Sequence, residues 1–264
     1  FGAYDGPVYC LDRFAGKRRC VFMDADWVGS SPCIDNEDGV VFIGLEFALP
    51  GKQGGVAAID IRTGAVKWKY YGMTGLTHAS PAYSRKQRLV VCGCNDKHLY
   101  ALDAVTGALK WEFETGAEIK YGAIFHEERN LVVVASFDGG VYVLHTKTGA
   151  LYHRFEAQAG FYATPVLSGD RIIIGSLDKQ VYCFNLATKT TEWTFATRGR
   201  IFASPILDGD SVFIGSNDGR LHELEATSGK MRAAIQLTER IVNRIQVDHT
   251  QNRKRVLYVS THVG

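Results

Sequence analysis

The chain has 264 residues, with 30 Lys and Arg against 28 Asp and Glu, and a formal net charge of only +2. Hydrophobic residues make up 46% of it and charged residues 22%, which excludes a disordered or fibrous chain. The balanced charge argues against an extended nucleic-acid surface, and no apolar run approaches the roughly 20 residues that a membrane helix needs.

Glycine punctuates the sequence at a regular interval. A turn of the Thr-Gly type recurs at positions 16, 64, 107, 149, 189 and 229, and in three copies a Trp follows four residues later. These three are Trp68, Trp111 and Trp193, while Cys20, His153 and Ala233 take the place in the other copies. The spacings of 48, 43, 42, 40 and 40 residues indicate an internal repeat of about 41 residues.

Two further markers run in step with these turns. Turns of the Asp-Gly type end β-branched runs, at Asp5, Asp96, Asp138, Asp178 and Asp218. Ser-Pro or its equivalent recurs at Ser31-Pro32, Ser80-Pro81, Gly122-Ala123, Thr164-Pro165, Ser204-Pro205 and, in degenerate form, Asn243-Arg244. Three markers with one period predict a true structural repeat.

Each repeat predicts four short strands, which we name A to D in chain order. Strand A carries the Ser-Pro, strand B is the β-branched run, strand C alternates, and strand D carries the Trp. Patterning with a helical period is absent, and four strands in a repeat of about 40–50 residues are typical of a propeller blade. The sequence therefore predicts an all-β fold, a β-propeller of four-stranded antiparallel blades over residues 1–264 as a single domain.

The chain ends predict six blades. The first C–D unit (7–22) and the last A–B unit (241–260) complement each other, so their pairing closes the ring and leaves no open edge. The segment Phe1–Gly6 resembles the end of another B strand, so a seventh, incomplete blade is the alternative.

Two copies of the repeat resemble the tryptophan-docking motif of the quinoprotein (PQQ-like) β-propeller superfamily. They run from Ala58 to Trp68 and from Ala101 to Trp111, with the Thr-Gly turn between the small residue and the indole. A small residue on strand C leaves room for the Trp of strand D, so we interpret these indoles as structural.

The superfamily includes oxidoreductases, outer-membrane assembly scaffolds, and propellers appended to β-alanine-activating (aminoadipate-semialdehyde dehydrogenase-like) proteins. The resemblance to PQQ-dependent dehydrogenases is in the repeat only. Those enzymes have eight blades, a vicinal Cys–Cys disulfide against the quinone, and a Ca²⁺ site, whereas Cys92-Gly93-Cys94 is the nearest approach of two cysteines here. We therefore expect no PQQ, no other cofactor and no metal.

The six cysteines offer one plausible pair. Cys10 and Cys20 occupy the Ala and Trp positions of the motif, which face each other, so either they form a disulfide or Cys20 fills a lost Trp site. Cys92 and Cys94 share one face of a strand, and we interpret them as core residues because C-x-C lacks zinc-ligand spacing. This usage favours a reducing compartment.

Three charged or glycine-rich segments are predicted to lie between strands. The acidic run 35–39 lacks the later Glu of an EF-hand and is predicted to be a turn. Residues 45–55, which include Pro50-Gly51-Lys52-Gln53-Gly54-Gly55, are predicted to be a long loop that is either a binding insertion or neutral. Arg253-Lys254-Arg255 is predicted to be a solvated turn.

The inner end of strand A supplies the candidate binding residues, since side chains there converge near one mouth of a propeller channel. They are Trp27, His78, Lys120, Tyr162, Arg200 and Phe202. Gly29 and Ile241 fill the equivalent positions of other copies, and Glu118, Glu239 and Arg240 lie nearby. No catalytic constellation can be assembled from the sequence, so no catalytic residue is predicted.

We expect a non-catalytic scaffold that presents a rigid face to a protein partner or to another domain of the same polypeptide, without nucleic acid and without membrane insertion. The ends of the chain suggest a domain of a larger protein. A cytoplasmic location follows from the thiols, and a periplasmic assembly scaffold is the alternative. A PQQ- or Ca²⁺-dependent oxidoreductase is the third possibility.

Overall fold

The computed structural model describes residues 1–49, 52–250 and 254–261, and in them the regular structure is entirely β. The strands are β1 (Pro7–Leu11), β2 (Arg18–Met23), β3 (Cys33–Asp35), β4 (Val40–Leu49), β5 (Lys52–Asp60), β6 (Val66–Met73), β7 (Ala82–Ser84), β8 (Leu89–Gly93), β9 (His98–Asp103), β10 (Leu109–Glu114), β11 (Ile124–His126), β12 (Leu131–Ala135), β13 (Gly140–His145), β14 (Leu151–Glu156), β15 (Val166–Ser168), β16 (Arg171–Gly175), β17 (Gln180–Asn185), β18 (Thr190–Ala196), β19 (Ile206–Asp208), β20 (Ser211–Gly215), β21 (Arg220–Glu225), β22 (Met231–Gln236), β23 (Gln246–His249) and β24 (Arg255–Tyr258). No helix among these residues is long and apolar enough to cross a membrane.

The strands form sheets in which chain neighbours are also sheet neighbours. Within the described residues there are five four-stranded sheets, β3–β6, β7–β10, β11–β14, β15–β18 and β19–β22, and two two-stranded sheets, β1–β2 and β23–β24. Neighbouring strands pair antiparallel, as β1 does with β2 and β4 with β5. The predicted all-β fold with four-stranded antiparallel repeats is confirmed.

The contacts of the chain divide it into two compact units. The first unit contains residues 1–134 and 143–152, and the second contains residues 135–142 and 153–264. Each unit is described by itself, and the single domain over residues 1–264 stays a prediction.

The tryptophans pack on the repeat that follows them in the chain. A Cβ on Gly107 would lie 2.6 Å from the Trp68 ring, and the same closeness recurs between Gly149 and Trp111. The Trp68 Nε1–H donates to Ala104 O at 3.0 Å, and Trp111 Nε1–H donates to Thr146 O at 2.8 Å. In the second unit, a Cβ on Gly229 would lie 2.5 Å from the Trp193 ring, and Trp193 Nε1–H donates to Ala226 O at 3.1 Å.

The small residue predicted opposite each indole is there. Ala58 faces Trp68, Ala101 faces Trp111 and Cys183 faces Trp193 in the register of strands C and D. The indole then covers the backbone of its own hairpin and the turn of the next repeat. Trp68 and Trp111 are each 8% exposed, and the small residue and the glycine leave room for their rings.

The Ser-Pro marker lies just before strand A rather than within it. Pro32 directly precedes β3 and Pro81 directly precedes β7, because proline has no N–H to donate to the strand ladder. The serine joins repeats: Ser80 Oγ accepts from Ser31 N at 2.9 Å, and in the second unit Ser204 Oγ accepts from Thr164 N at 2.9 Å.

The Asp-Gly marker is a second tie between repeats. Asp96 Oδ2 accepts from its own repeat through Tyr100 Oη at 2.8 Å, and from the preceding repeat through Thr74 N at 2.9 Å. In the second unit Asp178 Oδ2 accepts from Tyr182 Oη and from Gln158 N in the same way. The aspartates therefore hold each B–C turn against the chain that arrives from the previous hairpin.

The first residues of the chain pair with β1. Gly2 forms a β-bridge with Val8, and Tyr9 N donates to Phe1 O at 2.8 Å, as expected for the end of a B strand. The predicted six-blade closure would pair β24 with this same edge of β1. Since β1–β2 and β23–β24 are separate sheets in the described residues, the blade number and the closure stay predictions.

The predicted long loop at residues 45–55 is wrong. β4 continues to Leu49 and β5 begins at Lys52, so the extra residues lengthen the B–C hairpin. The cause is the apolar run that continues through Phe47, which is buried and extends the ladder. Pro50 and Gly51 lie outside the described residues, as does Arg253 of the predicted basic turn.

Removal of an indole tests the tie between repeats. Trp111→Ala should lower the free energy of unfolding by about 3–5 kcal/mol, because it opens a cavity and leaves Thr146 O without its donor. Trp111→Phe keeps an aromatic face and loses the N–H, so it should cost about 1–3 kcal/mol. Urea unfolding followed by circular dichroism measures both. Costs below about 1 kcal/mol for both variants would contradict a role for the indole in joining repeats.

Acid should loosen the Asp96 turn. Burial acts to raise the pKa of Asp96, but hydrogen bonds from Tyr100, His98 N and Thr74 N outweigh it and hold the pKa below its usual value. The charged form therefore stabilises the fold above the unfolded-state pKa of about 3.9, and this stabilisation is lost as pH falls through the lower folded-state pKa.

Thermal unfolding between about pH 6 and pH 2 tests this. Asp96→Asn should lower Tm at about pH 6 and flatten the acid dependence, so the two proteins converge in acid. Glu114→Gln removes an exposed carboxylate from β10 and is the matched control. If Asp96→Asn leaves the acid dependence of Tm unchanged, the turn is not the titrating element.

Candidate functional site

Four of the predicted binding residues occupy equivalent places in their repeats: His78, Lys120, Tyr162 and Phe202. The residue before Lys120 is Ile119, which is fully buried and donates its N–H to Cys94 O at 3.1 Å. In the second unit the same bond runs from Phe161 N to Ser136 O and from Ile201 N to Ser176 O. In each of these repeats one buried residue thus anchors the backbone, and a predicted binding residue follows it in the chain.

The six predicted residues are divided between the units. Trp27, His78 and Lys120 belong to the first, and Tyr162, Arg200 and Phe202 belong to the second. Their convergence at one channel mouth therefore stays a prediction, and each set is described within its own unit.

A buried carboxylate lies at the centre of the first set. Glu46 is 1% exposed, and its Oε1 lies 2.8 Å from Nδ1 of His78, whose side chain is 33% exposed. Among the described residues, no hydrogen bond to Glu46 Oε1 meets the usual geometric limits. The two side chains make an ion pair when the imidazole is protonated.

Gly29 completes this arrangement. A Cβ at this position would lie 3.2 Å from His78 Nδ1 and 3.3 Å from Glu46 Oε1, so the glycine leaves space in front of the carboxylate. Trp27 pairs with the backbone of Glu46 as an isolated β-bridge, with Glu46 N to Trp27 O at 3.0 Å. The lengthened β4 is what brings Glu46 to Trp27, Gly29 and His78. We call these four residues the Glu46 site.

An aromatic row forms the second set. Tyr162 and Phe202 are half-buried, with ring centroids 5.3 Å apart and planes at 72°. Phe137 joins them, since its ring centroid lies 5.4 Å from that of Tyr162 at 80°. Such edge-to-face contacts fix the ring planes. Arg200 lies two residues before Phe202, with the buried Ile201 between them, and the Arg200 side chain is exposed.

A charged cavity of about 520 Å³ lies beside β3 and β7. Residues of the acidic run 35–39, which the sequence predicts to be a turn, line part of it. Asp35 accepts from its own turn at Glu37 N, and Arg85 binds both of its carboxylate oxygens at 2.8 and 2.9 Å. Tyr83 Oη also donates to Asp35, and burial together with that bond raises the pKa of Tyr83 to about 12. The run 35–39 is therefore a turn tied to the next repeat, as predicted.

The cysteines are thiols throughout the described residues. Cys92 and Cys94 are core residues as predicted, and their Sγ atoms donate to Ala79 O and Leu76 O. Burial raises the pKa of Cys94 to about 12. Cys10 and Cys20 are directly opposite each other in β1 and β2, as the motif predicts.

A family profile described as outer membrane protein assembly factor BamB (PQQ_2) matches residues 4–120 and 95–264. The chain belongs to this family. The quinoprotein-like superfamily and the β-propeller repeat predicted from the sequence are thereby confirmed, whereas an origin in a β-alanine-activating protein stays a prediction. No curated protein sequence matches the chain.

Two solved structures show the same fold at low sequence identity. BamB from Moraxella catarrhalis is 18% identical with a TM-score of 0.69, over 98% of this chain and 89% of that one. A europium-containing methanol dehydrogenase is 14% identical with a TM-score of 0.80, over 97% of this chain and 70% of that one. An assembly factor and an oxidoreductase thus share this architecture.

The metal named for the second of these structures needs a set of several ligands. Hard cations take six or more oxygen ligands, most of them from carboxylates. Among the described residues, no three His, Cys, Asp and Glu side chains are placed to share a metal ion. The Cys92 and Cys94 thiols donate to backbone carbonyls inside the core.

Sequence reasoning missed two members of these sites. The signal for Glu46 is a lone charge inside the apolar run from Val40 to Phe47, a place where a carboxylate is buried at a cost. The signal for Phe137 is an aromatic residue directly before the Asp138 turn.

A double-mutant cycle tests the Glu46 site. His78→Ala, Glu46→Gln and the double variant, unfolded in urea at about pH 5.5 where histidine is normally protonated, should show a coupling energy of about 0.5–3 kcal/mol. His98→Ala with Glu46→Gln is the control cycle and should be additive. Additive costs for His78 and Glu46 would show that the 2.8 Å approach carries no interaction energy.

Proposed function

We propose that this chain is a non-catalytic scaffold that binds a protein partner through the aromatic row of its second unit. One observation carries the proposal: Phe137, Tyr162 and Phe202 form a half-buried edge-to-face row. Aromatic side chains that are held rigid lose little entropy on binding and dominate the energetics of protein interfaces.

The family supports the same function. It is described as an outer membrane protein assembly factor, and the match extends over both halves of the chain. Outer-membrane strands alternate polar and apolar residues and carry aromatic girdles. An extended segment of that kind would place a ring on Tyr162 or Phe202 at every second residue, with Arg200 beside it.

The location of the scaffold rests on two opposing observations. The six cysteines are all thiols, which supports a reducing, cytoplasmic setting. The description of the family supports a periplasmic one. The same aromatic row serves either setting, with another domain of the polypeptide as the partner in the first.

The experiment uses two synthetic peptides of about ten residues, one alternating Phe with Thr and one alternating Leu with Thr. The aromatic peptide should bind more tightly in fluorescence anisotropy. Tyr162→Ala with Phe202→Ala should weaken that binding at least tenfold, which is the usual loss at an aromatic hot spot.

Phe14→Ala is the control, because Phe14 is an 88% exposed aromatic residue of the first unit. It should leave the affinity unchanged. Circular dichroism establishes that each variant is folded. Equal affinity for both peptides, or undiminished affinity in the double variant, would reject the aromatic row as the binding surface.

The second candidate is an oxidoreductase, favoured by the higher TM-score of 0.80 to the methanol dehydrogenase. Methanol-dependent reduction of a dye by the chain with added PQQ and europium would establish it and would reject the scaffold proposal.

A further inference from the structure

The tryptophan contact defines a slot that recurs along the chain. Its floor is the backbone of the Thr-Gly turn, and its polar end is the carbonyl three residues before the glycine, which accepts the indole N–H. In the Trp68 slot these are Gly107 and Ala104 O, and in the Trp193 slot they are Gly229 and Ala226 O.

The slot on the β3–β6 sheet has the same backbone without the indole. Its glycine is Gly64, with φ +74° against +73° at Gly107. Its carbonyl belongs to Ile61, whose N–H donates to Gly39 O just as Ala104 N donates to Arg88 O. Cys20 takes the Trp position and touches the floor, since a Cβ on Gly64 would lie 3.0 Å from Cys20 Cβ. We call this the Cys20 slot.

A cavity of about 210 Å³ remains where the rest of an indole would be. Its walls are mostly apolar and come from the sheets on either side, with Phe22, Pro32, Ile34, Val41 and Ile59 among them, and Asp60 also lines it. Two wall residues, Leu11 and Ile34, are 42% and 43% exposed, so the cavity is open to solvent. An apolar cavity of about 150 Å³ already binds benzene.

The polar end of the Cys20 slot is weakly used. Ile61 O accepts from Cys10 Sγ at 3.8 Å, whereas the matching carbonyls accept indole N–H groups at 2.8 to 3.1 Å. A thiol is a weak donor, so a ligand N–H would replace it at a gain.

Other copies that lack Trp are filled differently. In the second unit, Glu223 faces the Ala233 that replaces Trp, and Arg255 binds Glu223 at 2.9 Å. His153 brings its own ring, which packs edge-on against Phe155 at 4.5 Å. The Cys20 slot combines an apolar cavity with the carbonyl and glycine that the Trp slots use.

We propose that the Cys20 slot binds a planar bicyclic aromatic group of the indole class, with its face on Gly64 and its N–H donated to Ile61 O. The filled Trp slots of the same chain specify this ligand chemistry. The group enters past Leu11 and Ile34, either as a free indole compound or as the Trp side chain of a polypeptide. The inference stands apart from the aromatic row, which lies in the other unit.

Fluorine NMR of 5-fluoroindole tests the proposal, because the four Trp of the chain obscure fluorescence changes. The wild-type chain should broaden or shift the ligand line and bind it at millimolar or tighter concentration. Competition with 1-methylindole, which lacks the N–H, should require about tenfold more compound, the equivalent of one hydrogen bond of about 1.4 kcal/mol.

Cys20→Trp should abolish binding, because the introduced Trp side chain then fills the slot. The same variant should raise Tm. Cys20→Leu fills part of the cavity and is the second blocking variant if Cys20→Trp fails to fold. Cys33→Ser is the matched control: Cys33 is another half-buried thiol, and it packs against the cluster around Trp68. It should bind as the wild type does.

The source of the group is separated by comparing free indole with N-acetyltryptophanamide. Binding of the amide identifies a Trp side chain as a possible occupant, and binding of indole alone identifies a small molecule; either supports the slot. Absence of binding by both compounds, or binding that survives in the folded Cys20 variants, would overturn the proposal.

Discussion

The structure depends on one contact, the indole of one repeat lying on the glycine turn of the next. The contact needs three residue types at once: a Trp on strand D, a small residue opposite it on strand C, and a glycine whose bare backbone lies under the ring. A Cβ on Gly107 would come within 2.6 Å of Trp68, so the turn and the indole are coupled across two repeats. The N–H bond to Ala104 O adds direction to this apolar contact.

The repeat itself could be predicted from the sequence, because Trp68, Trp111 and the turns around them recur at one spacing. The strand order, the facing of Ala58 and Trp68 and the inter-repeat role of the indole follow from that pattern. The Glu46 site could not be predicted in the same way. Its parts come from different repeats, and the contact between Glu46 and His78 depends on a hairpin lengthened in one repeat alone.

A shared fold leaves the function open, and here an assembly factor and a dehydrogenase have the same architecture. What distinguishes this chain lies at the positions where a repeat departs from its own consensus. Glu46 places a carboxylate in a buried strand, Phe137 adds a ring to the row beside Tyr162, and Cys20 stands where other copies have an indole. Each departure puts either a space or a different side chain at a place that the regular repeats use for packing.

The ties formed by Asp96 and Trp68 both cross from one repeat to the next, the first through Thr74 N and the second through Ala104 O. A single repeat cut from this chain would carry an indole without its acceptor and an aspartate without one of its donors. Neighbours therefore complete each other, as in other repeat proteins. Evolution can lengthen or shorten such a chain by whole repeats, since every new junction then restores both bonds, whereas the loss of half a repeat breaks them.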